Sequence, residues 1–116
     1  MFAPMPPAPF SAHYAVRPEQ TVVTVTGEID VTTAEELRTT GLEACRRATR
    51  RLELDVRGVT FVDSTGLVAI LAIFKQAGSD ALDFRVRCGS GESPVCELLR
   101  LVGLETDLGT YLDADS

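Results

Sequence analysis

The stretch LELDVRGVTFVDSTGL, residues 52–67, decides the fold class. Leu52, Leu54 and Val56 alternate with Glu53 and Asp55, the pattern of a half-buried strand. Arg57-Gly58 reads as the break that ends it. Phe61 and Val62 lead into Asp63-Ser64-Thr65, residues suited to capping a helix. Leu67, Ile70, Leu71 and Phe74 then recur at helical spacing. This helix reads as ending near Gly78, as glycine-capped helices do. A strand that passes through a short loop into a helix is the unit from which parallel sheets are built.

Upstream, Ala12 to Val16 reads as an edge strand and Pro18-Glu19-Gln20 as a turn. Thr21 to Thr26 is rich in β-branched residues and reads as a second strand, paired with the first in a hairpin. A helix follows, with Thr32 or Thr33 as its cap and Glu35 or Glu36 placed for a capping box. Ala34, Leu37, Gly41, Ala44 and Ala48 give it a narrow apolar stripe, small enough to approach a sheet closely. Downstream, Phe84, Val86 and Cys88 alternate with Arg85 and Arg87 as another strand. Ser93 caps a third helix, with Pro94 at its first position. Val95, Leu98, Leu99 and Val102 form its expected buried face, and Gly103 stops it. Leu108 to Leu112 reads as a short last strand.

Strands that alternate with helices in this order predict an α/β fold: a mixed, mostly parallel sheet of four to five strands with helices packed on it. The length of 116 residues suits one domain. Residues 11–113 read as the folded unit, 1–10 as a flexible proline-rich arm, and 114–116 as a frayed acidic tail.

The net charge of −6 disfavours direct binding to nucleic acid or to anionic membrane surfaces. Arg46, Arg47, Arg50 and Arg51 cluster at the end of the first helix. Cations there offset the helix dipole, and an anion-binding patch is the other reading. No apolar run approaches the length of a membrane span, and the first ten residues lack the basic start and continuous apolar core of a signal peptide. The three cysteines are odd in number and show no Cys-x-x-Cys spacing. Cys45 and Cys88 fall on apolar faces, so the cysteines read as reduced and the compartment as cytoplasmic. With His13 the one histidine, no metal site is expected.

The chemistry centres on Ser64. At a helix start the unpaired backbone N–H groups favour an anion, and a phosphate on Ser64 is expected to gain hydrogen bonds from them. Gly66 carries no side chain and reads as a place where a partner can approach. An ordinary N-cap explains the same residues. Asp30 and Asp63 form an acid/base pair on one reading, whereas Asp30 simply caps its own helix on another. Nothing supplies a nucleophile–base–orienter set, a Gly-x-Ser-x-Gly elbow or a Walker sequence, so no enzyme is expected. Gly89-Ser90-Gly91 is a partial dinucleotide fingerprint, but Pro94 stands at the third glycine position. A plain turn fits it better, and no cofactor is expected.

Gly27-Glu28-Ile29-Asp30, the helix opening Thr33-Ala34-Glu35, Leu52-Glu53-Leu54-Asp55-Val56 and Phe61 to Leu67 occur in the order and spacing of the STAS domain. The chain resembles that family from about Thr21 to Leu112, and within it the anti-sigma factor antagonists of the SpoIIAA and RsbV type. Val95, Leu98, Leu99, Gly103 and Leu104 fit the pattern as well. The resemblance implies a SpoIIAA-like fold and a partner-switching role. The unphosphorylated protein would bind an anti-sigma factor that is also a serine kinase, freeing a sigma factor. That kinase would phosphorylate Ser64, and a serine phosphatase would reset the system. Asp30, Asp63, Ser64, Thr65, Gly66 and Leu67 are the partner-binding residues so implied, in a monomer or weak dimer. A STAS subunit of a lipid-transport or stressosome-like complex, with Ser64 only a cap, is the alternative. A hydrolase using Ser64 is a third reading.

Overall fold

Alternation sorts the strand side chains onto two faces, and the faces differ in chemistry. The computed structural model describes residues 9–90 and 92–113. Most of the expected arm (1–8), Gly91 and the expected tail (114–116) lie outside the described residues. The elements are β1 (Ser11–Val16), β2 (Gln20–Ile29), α1 (Ala34–Arg47), β3 (Arg51–Val62), α2 (Ser64–Ser79), β4 (Asp83–Gly89), α3 (Pro94–Leu101) and β5 (Thr110–Leu112). They form a mixed five-stranded sheet in the order β1-β2-β3-β4-β5. β1 runs antiparallel to β2, and every other pair is parallel.

Val23, Leu54 and Val86 sit side by side across β2, β3 and β4, and all three are fully buried. Leu37 of α1, Ile70 and Ile73 of α2, and Val95 and Leu99 of α3 close over this face in one core. A fully buried aliphatic side chain contributes about 1.5–3 kcal/mol, so this layer is the main source of stability. The opposite face is polar. Thr24, Asp55, Arg87 and Tyr111 form one row across it. The Tyr111 hydroxyl donates to Glu53 Oε1 at 2.6 Å, and Arg57 grips Asp55 through Nε and Nη2. Burial works against the Asp55 carboxylate, yet the Arg57 hydrogen bonds and charge hold its pKa below the usual carboxylate value.

Arg57-Gly58 does not end the strand. β3 continues for 12 residues to Val62, and the disruption is taken up as bulges. Thr24 faces Asp55 while Thr26 faces Gly58, and Gly27 faces Val59 while Glu28 faces Phe61. Each step leaves one extra residue on β3. The Asp55 carboxylate holds the first bulge by accepting the Arg57 N–H at 3.1 Å. A side chain at Gly58 would meet Thr26 Cγ2 at 2.7 Å. β2 likewise begins at Gln20 and runs on to Ile29, longer than its β-branched run suggested.

One helix end and two helix faces also depart from expectation. Gly78 lies inside α2, and Ala81 takes the left-handed position at φ 58. Leu82 N–H bonds Ala77 O at 2.8 Å and Ala81 N–H bonds Gly78 O at 3.1 Å, the Schellman pattern with alanine where glycine is usual. α3 ends in the same pattern with Gly103 at φ 78, as expected. The buried line of α2 is Gly66, Ala69, Ile70, Ile73 and Ala77, with Leu67, Leu71 and Phe74 only partly buried. Small residues mark the line of closest approach, and the larger ones flank it. On α3, Cys96 is buried and Val102 is exposed.

The cysteines are not all free. Cys88, near the end of β4, and Cys96, in the first turn of α3, form a disulfide across a Cα–Cα distance of 6.0 Å. Cys-x-x-Cys spacing is one way to bring two thiols together. Here the turn from β4 into α3 does so instead. Cys45 is free and buried, and burial raises its thiol pKa to about 11.

Candidate functional site

The site begins at the last rung of the β2–β3 ladder. Ile29 pairs with Val62, and the next residue of each strand is an aspartate. Asp63 N–H donates to Ile29 O at 3.2 Å, which holds the two exits together. Asp30 and Asp63 therefore leave the sheet side by side at the carboxyl ends of adjacent parallel strands, the usual place for function in such sheets.

Asp63 is the N-cap of α2. Its Oδ1 accepts from Thr65 N at 3.0 Å, from Gly66 N at 3.1 Å and from the Thr65 hydroxyl. The Thr65 hydroxyl and then the Gly66 N–H hold its pKa below the usual carboxylate value, against the opposing charge of Asp30. Asp30 makes its own turn. Its Oδ1 accepts from the Thr32 hydroxyl at 2.7 Å and from Thr32 N at 2.9 Å. Those two bonds, the hydroxyl first, lower its pKa as well. Both carboxylates are thus ionised at neutral pH. They form an anionic pair with no proton to donate, which does not fit an acid/base couple.

Thr33 is the N-cap of α1 by position, but its side chain does not cap and no capping box forms. Its hydroxyl donates to Glu28 O at 2.8 Å and accepts from Asp30 N at 2.9 Å. Thr33 thereby fixes the backbone that carries Asp30, and the Asp30 carbonyl accepts from Ala34 N at 2.8 Å.

Ser64 is the first residue of α2 and is exposed. Asp63 already holds the N–H groups of Thr65 and Gly66, so a phosphate would have to compete with it. Gly66 is buried, and its missing side chain faces inward. A Cβ at that position would lie 2.6 Å from Ile29 Cγ2 and 2.7 Å from Val62 Cγ2. Glycine is needed here to seat α2 on the sheet, rather than to admit a partner. Thr65 and Leu67 are half-buried, Thr65 tied to Asp63 and Leu67 packed against the core.

Three exposed apolar side chains lie near these residues along the chain, and sequence reasoning did not foresee their exposure. Val31 is 73% exposed, Phe61 47% and Val68 66%. Val31 follows Asp30, Phe61 comes two residues before Asp63, and Val68 lies one helical turn beyond Ser64 on the same face. The signal was available for Val68: it is an apolar residue on the side of α2 opposite the buried line. Among the described residues no group of three or more His, Cys, Asp or Glu side chains is placed to hold a metal ion.

The family model described as "Mlab, STAS domain" matches residues 12–112, and the chain belongs to the STAS domain family. Its fold is similar to that of an anti-sigma factor antagonist from Mycobacterium paratuberculosis, at 25% identity and a TM-score of 0.77, over 89% of this chain and 86% of that one. The anti-sigma factor antagonist SpoIIAA in its unphosphorylated form matches at 19% identity and a TM-score of 0.71, over 92% of this chain and 90% of that one. The Bacillus cell fate determinant SpoIIAA in the phosphorylated form matches at 18% identity and a TM-score of 0.65, over 92% and 93%. These last two likenesses establish the fold alone.

Proposed function

We propose that the chain is an anti-sigma factor antagonist that acts as a phospho-regulated binding module. In its unphosphorylated form it binds an anti-sigma factor serine kinase and so frees a sigma factor. The carrying observation is the exposed Ser64 hydroxyl at the start of α2, directly after the N-cap Asp63 and next to the paired strand exits that carry Asp30 and Asp63. The likeness to the mycobacterial antagonist supports the same role.

The physics of the switch is local. Exposed Val68, one helical turn beyond Ser64, supplies apolar area for a partner, and the neutral Ser64 hydroxyl lets that partner close over it. A phosphate adds about −1.5 to −2 charge beside two carboxylates. Asp63 already engages the N–H groups of Thr65 and Gly66, two of those that would offset this charge. Repulsion and bulk then fall where the partner must dock. A differential of about 3 kcal/mol changes affinity more than a hundredfold. Ser64 is on this account a substrate of the kinase, a phosphatase resets it, and the module itself catalyses nothing. Such an exchange belongs in the cytoplasm, where sigma factors work.

Incubation with the cognate kinase and ATP, followed by peptide mass mapping, tests the assignment. Phosphate on Ser64 is expected. Phosphate elsewhere, or none with a partner that binds, refutes it. Ser64→Ala is expected to bind and resist modification, and Ser64→Glu to bind poorly.

The family model's description, which names Mlab rather than an antagonist, favours a second reading. In it the chain is a STAS subunit of a lipid-transport or stressosome-like complex, and Ser64 is only a helix residue. Capture of membrane-transport proteins from native cells, insensitive to Ser64→Glu, would select that reading.

A further inference from the structure

We propose that the Cys88–Cys96 pair is a redox-responsive latch, opened by a dithiol reductant and closed by a disulfide oxidant, that governs how firmly α3 and β5 hold to the sheet. It is a second input to the module, separate from Ser64. Three observations carry it.

The bond joins two elements that need it. α3 has eight residues, shorter than the roughly 12–15 that an isolated helix needs in water. It holds its place through Val95, Cys96 and Leu99, and the disulfide ties its first turn to the end of β4. β5, three residues long, pairs among the described residues with β4 alone.

The bond can also be reached. Both cysteines are almost fully buried as residues, yet clefts open on both sides of them. One, of about 260 Å³, is lined by Arg57, Val59, Cys88, Ser93 and Pro94 among others. The other, of about 350 Å³, lies toward β5 and is lined by Cys88, Cys96, Arg100 and Tyr111 among others.

The chemistry of the two sulfurs is asymmetric. Cys96 sits in the first turn of α3, where Ser93 Oγ accepts its N–H at 3.3 Å. A helix N-terminus stabilises a thiolate, which makes Cys96 the better leaving group. The exchange follows. A thiolate of the dithiol attacks Cys88 Sγ, the Cys88–Cys96 bond breaks, and Cys96 leaves as a thiolate that takes a proton from solvent. The second thiol of the reductant then attacks the mixed disulfide. Cys88 is released and protonated, and the reductant departs as its own disulfide. Two electrons have passed to the protein. Oxidation runs the same steps in reverse with a disulfide oxidant.

The test uses the full chain carrying Cys45→Ala, so that only the latch thiols are counted. The folded protein is equilibrated across ratios of reduced to oxidised dithiothreitol and then of glutathione. Each sample is quenched with N-ethylmaleimide and read by intact mass, with hydrogen exchange in parallel. The expected result is a single reversible step from zero to two adducts without denaturant. Exchange should speed up at least tenfold over 93–101 and 110–112, and remain unchanged over 64–79. Two adducts in excess oxidant would overturn the proposal, as would none until denaturant is added. Uniform acceleration that includes α2, or no acceleration anywhere, would overturn it equally.

Discussion

Gly66→Ala probes the contact that seats α2, and with it Ser64, on the sheet. The added Cβ would lie 2.6 Å from Ile29 Cγ2 and 2.7 Å from Val62 Cγ2. Both neighbours are branched residues on the final rung of the β2–β3 ladder, and Ile29 is fully buried, so neither can swing aside. Overpacking of this kind costs about 1–3 kcal/mol. Replacing a helical glycine by alanine returns about 0.5–1 kcal/mol. The expected net loss is about 1–2 kcal/mol. Gly78 is the matched control in the same helix, because a Cβ there meets nothing within 4 Å. Gly78→Ala keeps the propensity gain without the clash and should stabilise by about 0.5–1 kcal/mol. Urea unfolding followed by circular dichroism reads both. With a slope of roughly 1–3 kcal/mol per molar, the two midpoints should move in opposite directions by a few tenths of a molar or more. If both variants moved the same way, the close seating of α2 would be wrong, and the placement of Ser64 with it.

Ala81 holds a left-handed conformation that costs a non-glycine residue about 1–2 kcal/mol. Ala81→Gly should raise the urea midpoint, whereas Gly103→Ala, at the equivalent turn after α3, should lower it. Asp55 carries a native pKa below its unfolded value. Its contribution is therefore complete above the unfolded carboxylate pKa and disappears as pH falls through the native one. Arg57→Met leaves Asp55 to its burial, which raises the native pKa, so acidification from pH 5 to pH 3 should destabilise that variant less than the parent. Urea midpoints across that range decide it. Leu54→Ala, at a fully buried central position, should cost about 2–5 kcal/mol by the same assay.

The alternating strands and spaced helices of this chain are legible because each buries one face. Leu52, Leu54 and Val56 signal a strand whatever their neighbours do, and Ser93-Pro94 signals a helix start from local chemistry alone. The misreadings arise where tertiary contacts override local rules. Arg57-Gly58 looks like a break until Asp55 folds back to hold the bulge. The capping box at Thr33 fails because its hydroxyl is drawn to Glu28 O. The Cys88–Cys96 pairing depends on the turn between β4 and α3, which no spacing rule for cysteines describes. At the site, the motif around Ser64 was visible, and so were Asp30 and Asp63. That the two aspartates leave paired strands at one level required the β2–β3 register, which two bulges set. The exposure of Val31 and Phe61 was harder to see, because each reads as a strand-end residue.

On the proposed function, one hydroxyl on α2 sets the affinity for a kinase partner. Calorimetric titration of the cognate anti-sigma factor kinase tests it most directly, with unmodified protein in one cell and protein phosphorylated on Ser64 in the other. Tight binding of the unmodified form and at least a hundredfold weakening on phosphorylation are expected. Equal affinity of the two forms, measured with both proteins folded, would contradict the claim.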